Sequence, residues 1–286
     1  MVEYKELILS WAFFAFISLV FLRISFLTGF WRQGSVSASP PLPLSALIVF
    51  FVIYLGITTF VAPFSAFLME SFWLSSYKMP PPDAAYGYLQ VVWLIIVFLL
   101  FYLYTRSLGK SLFRTLWKRE KHPPSSLTTD IGMGLLAWII SFPIVNAIGE
   151  GIDLCLYLFT SFQGYEQVAI TYLKTAIQSP PLLITALFTI LIAAPCIEEF
   201  LFRGCLQTYL KQLLPTKGAI VLSSLCFALF HFSFSQGLGN LSLCGSLFVL
   251  ALFLGFLYER QGSLFACTAL HFSFNLISSM RIVFSS

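Results

Sequence analysis

Charged side chains are scarce in this chain: 12 acidic and 16 basic residues make up 10% of its 286 positions, against roughly 25% in soluble domains. An ordinary water-facing surface is therefore excluded. A hydrophobic content of 58% and a mean hydropathy of +0.88 point to a multi-pass membrane protein in a lipid bilayer. The net charge of +4 comes from basic residues scattered through short loops, so there is no extended basic patch and no nucleic-acid partner is expected. No two of the six cysteines are spaced as CxxC, which argues against a zinc knuckle or a disulfide framework and leaves Cys155, Cys196, Cys205, Cys226, Cys244 and Cys267 as small packing residues. Strict apolar/polar alternation is also missing, which disfavours a membrane β-barrel. There is no internal repeat and no low-complexity tract.

Eight apolar runs are long enough to cross a hydrocarbon core of about 30 Å as helices of roughly 20 residues. They fall at approximately 7–30, 44–69, 87–105, 130–158, 182–210, 218–235, 242–258 and 262–283. The expected fold class is all-α, a polytopic transmembrane helix bundle of about eight spans. The run from Leu7 to Phe30 exceeds a signal-peptide core of about 7–15 residues, and no small-residue cleavage site precedes Trp31 and Arg32. It is expected to stay as the first membrane helix. Residues 1–125 form an N-terminal segment of about three spans ending in a basic loop, and residues 126–286 form the remaining core.

Arg106, Lys110, Arg114, Lys118, Arg119 and Lys121 crowd one connector. With eight crossings the same side receives Arg32, Lys211, Lys217 and Arg260, and the positive-inside rule then places both termini outside the cytoplasm. The absence of targeting or retention signals and the compact loops favour a prokaryotic cell (inner) membrane. Glu150 and Asp153 are expected to mark the end of the fourth span.

Ionisable residues inside apolar spans are costly, so a cluster of them marks a candidate site. Glu198 and Glu199 lie side by side in the fifth run, followed by Arg203. His231 ends the Phe227-Ala228-Leu229-Phe230-His231 stretch, and His271 and Asn275 lie in the last run. Only three histidines occur in the chain, and the third, His122, reads as a loop residue. Glu199 and Arg203 are four apart and share a helix face, whereas Glu198 points about 100° away. Arg203 is expected to hold Glu199 ionised, while apolar surroundings suit Glu198 to the work of a general base. At 1.5 Å per residue, Glu199, His231 and His271 stand about 18, 21 and 16 Å from Lys211, Lys217 and Arg260, which belong to one membrane face. Three helices thus carry their polar groups to a common depth. A structural ion network and a proton-coupled transporter remain alternative readings.

Glu198-Glu199-xxx-Arg203, Phe227-xxx-His231 and His271-xxx-Asn275, in this order, resemble the signature of the CAAX protease and bacteriocin-processing (CPBP or Abi) family of intramembrane endopeptidases. That group includes type II CAAX prenyl endopeptidases and lysostaphin-resistance proteins. The resemblance covers roughly residues 130 to 283 and implies a glutamate-dependent peptidase acting on a membrane-associated peptide or protein, prenylated or leader-bearing. It implies that Glu198 activates a water that His231 helps to position, that His271 and Asn275 stabilise the oxyanion, and that Glu199 and Arg203 orient the first carboxylate. A scaffold or immunity protein built on the same fold is a further alternative.

No cofactor is expected. Zinc is the competing possibility, because two His and one Glu make a three-ligand set with water as the fourth ligand. Against it, neither glutamate has a His at the spacing of an HExxH site. Ser233, Ser273 and Cys267 lack a base at motif spacing and are read as packing or helix-lining residues.

Overall fold

A computed structural model describes residues 2–32, 35–79, 81–109, 112–122, 124–160 and 168–285. Lys110 and the side chain of His122 lie outside this description. Among the described residues the regular structure is helical apart from one two-residue antiparallel ladder, Ser35–Val36 with Lys121–His122, and an isolated antiparallel bridge between Lys118 and Ser263. The helices are α1 (Val2–Leu27), α2 (Leu44–Tyr77), α3 (Asp83–Leu108), α4 (Leu112–Trp117), α5 (Leu127–Thr160), α6 (Val168–Ile177), α7 (Pro180–Leu210), α8 (Thr216–Phe230), α9 (Gly239–Gln261) and α10 (Leu264–Ser285). Their order and positions follow the eight apolar runs, with α4 and α6 as short additions.

Six of these, α1, α2, α3, α5, α7 and α9, are long and apolar enough to cross a membrane. The bundle is therefore that of a multi-pass integral membrane protein. α10 has 22 residues, but His271, Asn275 and Arg281 dilute its apolarity. α8 corrects an expectation: the run anticipated to 235 stops at Phe230 after 15 residues, fewer than the roughly 20 that span a bilayer. His231 therefore sits at the end of a helix and not within one.

α5 runs through Glu150 and Asp153 to Thr160, close to the expected 158, so the two acids lie in its last three turns. The glycines beside these acids serve close packing and do not stop the helix. A Cβ on Gly149 would lie 2.5 Å from Ser246 Oγ, and one on Gly151 would lie 2.9 Å from Trp11 Nε1. Glu150 Oε1 accepts a hydrogen bond from Ser10 of α1 at 2.9 Å.

α5 packs against α1, α9 and α10, and α9 also packs against α8. A single apolar core joins Phe50 of α2 and Phe101 of α3 to Phe200 and Phe202 of α7 and Leu270 of α10. The Phe50 and Phe101 rings meet Phe200 at centroid distances of 5.4 and 5.3 Å, so N-terminal helices buttress the segment that carries the paired glutamates.

One end of the bundle collects the basic residues grouped by sequence. Buried Glu259 accepts from Gln207 Nε2 at 2.9 Å and pairs with Arg119 at 3.3 Å and with Lys211. Lys121 bonds Gln261, and Arg260 Nε donates to Arg32 O at 3.1 Å. The connector between α3 and α5 is thereby fastened to the end of α9.

Candidate active site

The geometry of the site begins with a proline. Along α7 the residues from Thr189 to Ala193 form a π-helical turn in which the Ala194 N–H reaches back five residues to Thr189 O. The next donor in that register is Pro195, which has no N–H, so the Ile190 carbonyl is left without a main-chain partner. Asn275 Nδ2 of α10 takes it at 2.8 Å. α2 follows the same rule, with its π turn at Ile57–Val61 immediately ahead of Pro63.

Beyond this turn the chain presents Glu198 and Glu199 and enters a second π-helical segment, Phe200–Gln207. Thr208 Oγ1 donates to Arg203 O there at 3.3 Å. Glu199 and Arg203 are both buried. Arg203 Nε stands 3.2 Å from Glu199 Oε2 and its Nη1 3.4 Å from Oε1. The other guanidinium nitrogen donates to Ala251 O of α9 at 3.3 Å, and the group lies 4.4 Å above the Phe227 ring. His271 completes the arrangement, with Nδ1 2.9 Å from Glu199 Oε1.

Glu198 faces a different direction, as one residue of helical rotation requires. Its Oε2 lies 3.8 Å from His231 Nε2 and 3.9 Å from His271 Nε2. These separations exceed a direct hydrogen bond, yet one water at about 2.8 Å from each atom spans them. His231 caps the end of α8 and directs Nδ1 at Phe227 O, 2.9 Å away. Its side chain keeps 29% of its surface accessible, against 6% for His271.

The partners of the two Nδ1 atoms fix the tautomers. A carbonyl only accepts, so His231 carries its proton on Nδ1. Glu199, ion-paired with Arg203, likewise accepts from His271 Nδ1. In the neutral state both Nε2 lone pairs are therefore presented to the space beside Glu198.

Five of the six residues singled out in the sequence, Glu198, Glu199, Arg203, His231 and His271, are joined by these contacts. Asn275 is held one turn from His271 by the Ile190 carbonyl and makes no contact of its own with the carboxylates. Tyr54 of α2, which no motif marks, lies within electrostatic range of Glu198, and its ring meets Phe230 at 5.9 Å. Among the described residues no three His, Cys, Asp or Glu side chains are grouped as metal ligands. The 3.8 and 3.9 Å separations at Glu198 are wider than the ~3.3 Å between ligands of a tetrahedral zinc with bonds of about 2.0–2.1 Å.

Residues 180–277 match the family described as type II CAAX prenyl endopeptidase Rce1-like. The matched segment contains all three motifs and supports the resemblance to the CAAX protease and bacteriocin-processing family. No curated protein and no solved structure matches the chain.

Proposed function

We propose that this membrane protein, with its Rce1-like segment at residues 180–277, is an intramembrane endopeptidase that hydrolyses a peptide bond in a membrane-associated substrate with a glutamate-activated water. The observation that carries the reading is the convergence of Glu198 Oε2 with the Nε2 atoms of His231 and His271 at 3.8 and 3.9 Å. A water in that space donates one hydrogen to Glu198 and the other to an imidazole lone pair, which leaves its own lone pair free to attack a carbonyl carbon.

As the C–O bond forms, the water proton passes to Glu198 and the carbonyl oxygen becomes an oxyanion. Collapse of the tetrahedral species breaks the C–N bond, and Glu198 returns the proton to the leaving amine. Oxyanion stabilisation falls to Asn275, whose amide keeps one hydrogen beyond that given to Ile190 O. Glu199 accepts from His271 Nδ1 and so holds the ring with Nε2 turned toward the water and Glu198. Arg203 keeps Glu199 in place.

The test is cleavage of a membrane-tethered peptide by the purified protein in proteoliposomes. Glu198→Gln is expected to lower the rate by about 10²–10⁴-fold while leaving the bundle folded, and exhaustive chelation is expected to leave the wild-type rate unchanged. Full activity in Glu198→Gln, or loss on chelation with rescue by zinc, would overturn the proposal.

A further inference from the structure

We infer that Asn240 is a positioning residue for His231, fastening the backbone of the 231–238 loop and thereby setting where the imidazole stands relative to Glu198. The inference rests on the peptidase reading for its functional consequence, but its structural basis is independent.

α8 ends at Phe230 and α9 begins at Gly239, and between the last α8 bonds and the first turn of α9 the chain makes only one short 3-10 turn, Phe234–Gln236, which leaves the Ser233 N–H without a main-chain partner. Non-helical backbone at membrane depth is tolerated only where its polar groups find partners. Asn240, in the first turn of α9 and 4% exposed, supplies them. Its Oδ1 accepts from the Ser233 N–H at 2.9 Å, and its Nδ2 donates to Ser233 O at 2.7 Å and to Gly237 O at 2.9 Å. One amide thus meets both main-chain groups of Ser233, whose carbonyl also accepts from the Gln236 N–H at 3.0 Å. Gly237 permits the reversal with φ +49.

Burial holds this loop chiefly at Gln236, which is 4% exposed. Phe234 is 94% exposed, and Phe232, which meets it edge-on at 5.2 Å, is also exposed. The bond from His231 Nδ1 to Phe227 O orients the ring without fixing the backbone that carries it. The His231 and Phe232 N–H groups keep the last α8 bonds, to Ala228 O and Leu229 O at 3.1 Å each, and the chain beyond them is fastened two residues on, at Ser233, by a side chain on a helix packed against α8 and α5. A displacement of about 1 Å in a reacting group costs up to about a hundredfold in rate.

The experiment compares Asn240→Ala, His231→Ala and the double variant, with Asn240→Asp as a same-size variant that keeps the acceptor and loses both donor contacts. Asn240→Ala and Asn240→Asp are each expected to lower kcat by about a hundredfold with KM held, and Asn240→Ala to have no further effect once His231 is absent. Losses that multiply in the His231→Ala background would overturn the inference, because Asn240 would then act on the fold at large. A second readout does not depend on catalysis: diethyl pyrocarbonate labelling, mapped by mass spectrometry, is expected to rise at His231 and to stay level at His271 in both Asn240 variants. Unchanged labelling of His231 refutes the positioning role. An active Glu198→Gln protein, by contrast, refutes the hydrolase reading alone.

Discussion

His271 Nδ1 lies 2.9 Å from Glu199 Oε1, so the last helix of the bundle is bonded to the carboxylate that Arg203 grips from the other side. Removing one member of such a buried set leaves an uncompensated charge. Arg203→Leu is expected to cost about 3–5 kcal/mol of stability, read as a lowered unfolding midpoint in detergent. Arg203→Lys should recover little, because an ammonium cannot span both carboxylate oxygens and the Ala251 carbonyl. The double variant Glu199→Leu/Arg203→Met should be more stable than Arg203→Leu, and a double variant that is less stable would contradict this account of the pair.

Pro195 offers a test in which stability and activity move apart. Pro195→Ala restores an N–H that can reach the Ile190 carbonyl or let the π turn relax to α geometry, either of which competes with Asn275. Relaxation also rotates the following segment, which carries Glu198 and Glu199, by up to about 100°. The variant is expected to unfold no more easily than the parent, since proline is about 3 kcal/mol less favourable than alanine inside a helix. Peptide cleavage should nevertheless fall at least about tenfold, a misplacement penalty well within the range for reacting groups. A variant as active as wild type would show that the Ile190 contact does not matter to the site.

The parts of this architecture legible in the sequence are those with short-range causes. Apolar runs located the long helices, and four-residue spacing correctly paired Glu199 with Arg203 and turned Glu198 elsewhere. The positions that escaped reading depend on partners distant in the chain. Glu259 looks like an ordinary helix-end charge until α7 and the connector close over it. Asn240 resembles a helix-start residue, and its partner Ser233 becomes evident only once α8 is known to end early. Pro195 was visible, but which carbonyl it orphans depends on the π register, and that register is set in three dimensions. Glu150 and Asp153 lie in the last turns of α5 as expected, but that the glycines beside them admit neighbouring helices depends on partners no local pattern names.

Two glycines on α5 make an internally controlled pair. A Cβ on Gly134 would lie 2.5 Å from the Ala266 carbonyl and 2.7 Å from Ala269 Cβ, both on α10, whereas one on Gly132 meets nothing within 4 Å. Gly134→Ala must push α5 and α10 apart, because small residues are what allow membrane helices to approach. It should lower both the unfolding midpoint and the cleavage rate, since α10 carries His271. Gly132→Ala should be neutral or stabilising by up to about 1 kcal/mol. Equal effects at the two positions would remove the packing argument.

Glu259 tests the lock at the basic end of the bundle. Its carboxylate takes Arg119 and Lys211 from two different loops and Gln207 from α7, and Arg119 also donates to Tyr258 O at 2.8 Å while lying 4.6 Å over the Tyr258 ring. Glu259→Leu strands two cations in a buried setting. Their cheapest escape is outward, carrying the connector with them. Trypsin should then cut after Lys118, Arg119 or Lys121 many times faster than in the parent, while Glu259→Gln, which keeps an acceptor without the charge, should fall between. The Glu198 site lies about three helical turns away, since Gln207 is eight and Lys211 twelve residues beyond Glu199 at 1.5 Å each. Cleavage of the tethered peptide should therefore decline less than the connector's protection does. A connector that stays resistant in Glu259→Leu would mean that the Lys118–Asp130 pair at 2.8 Å and the Tyr258 hydroxyl bond to Leu116 O at 2.9 Å hold it without help.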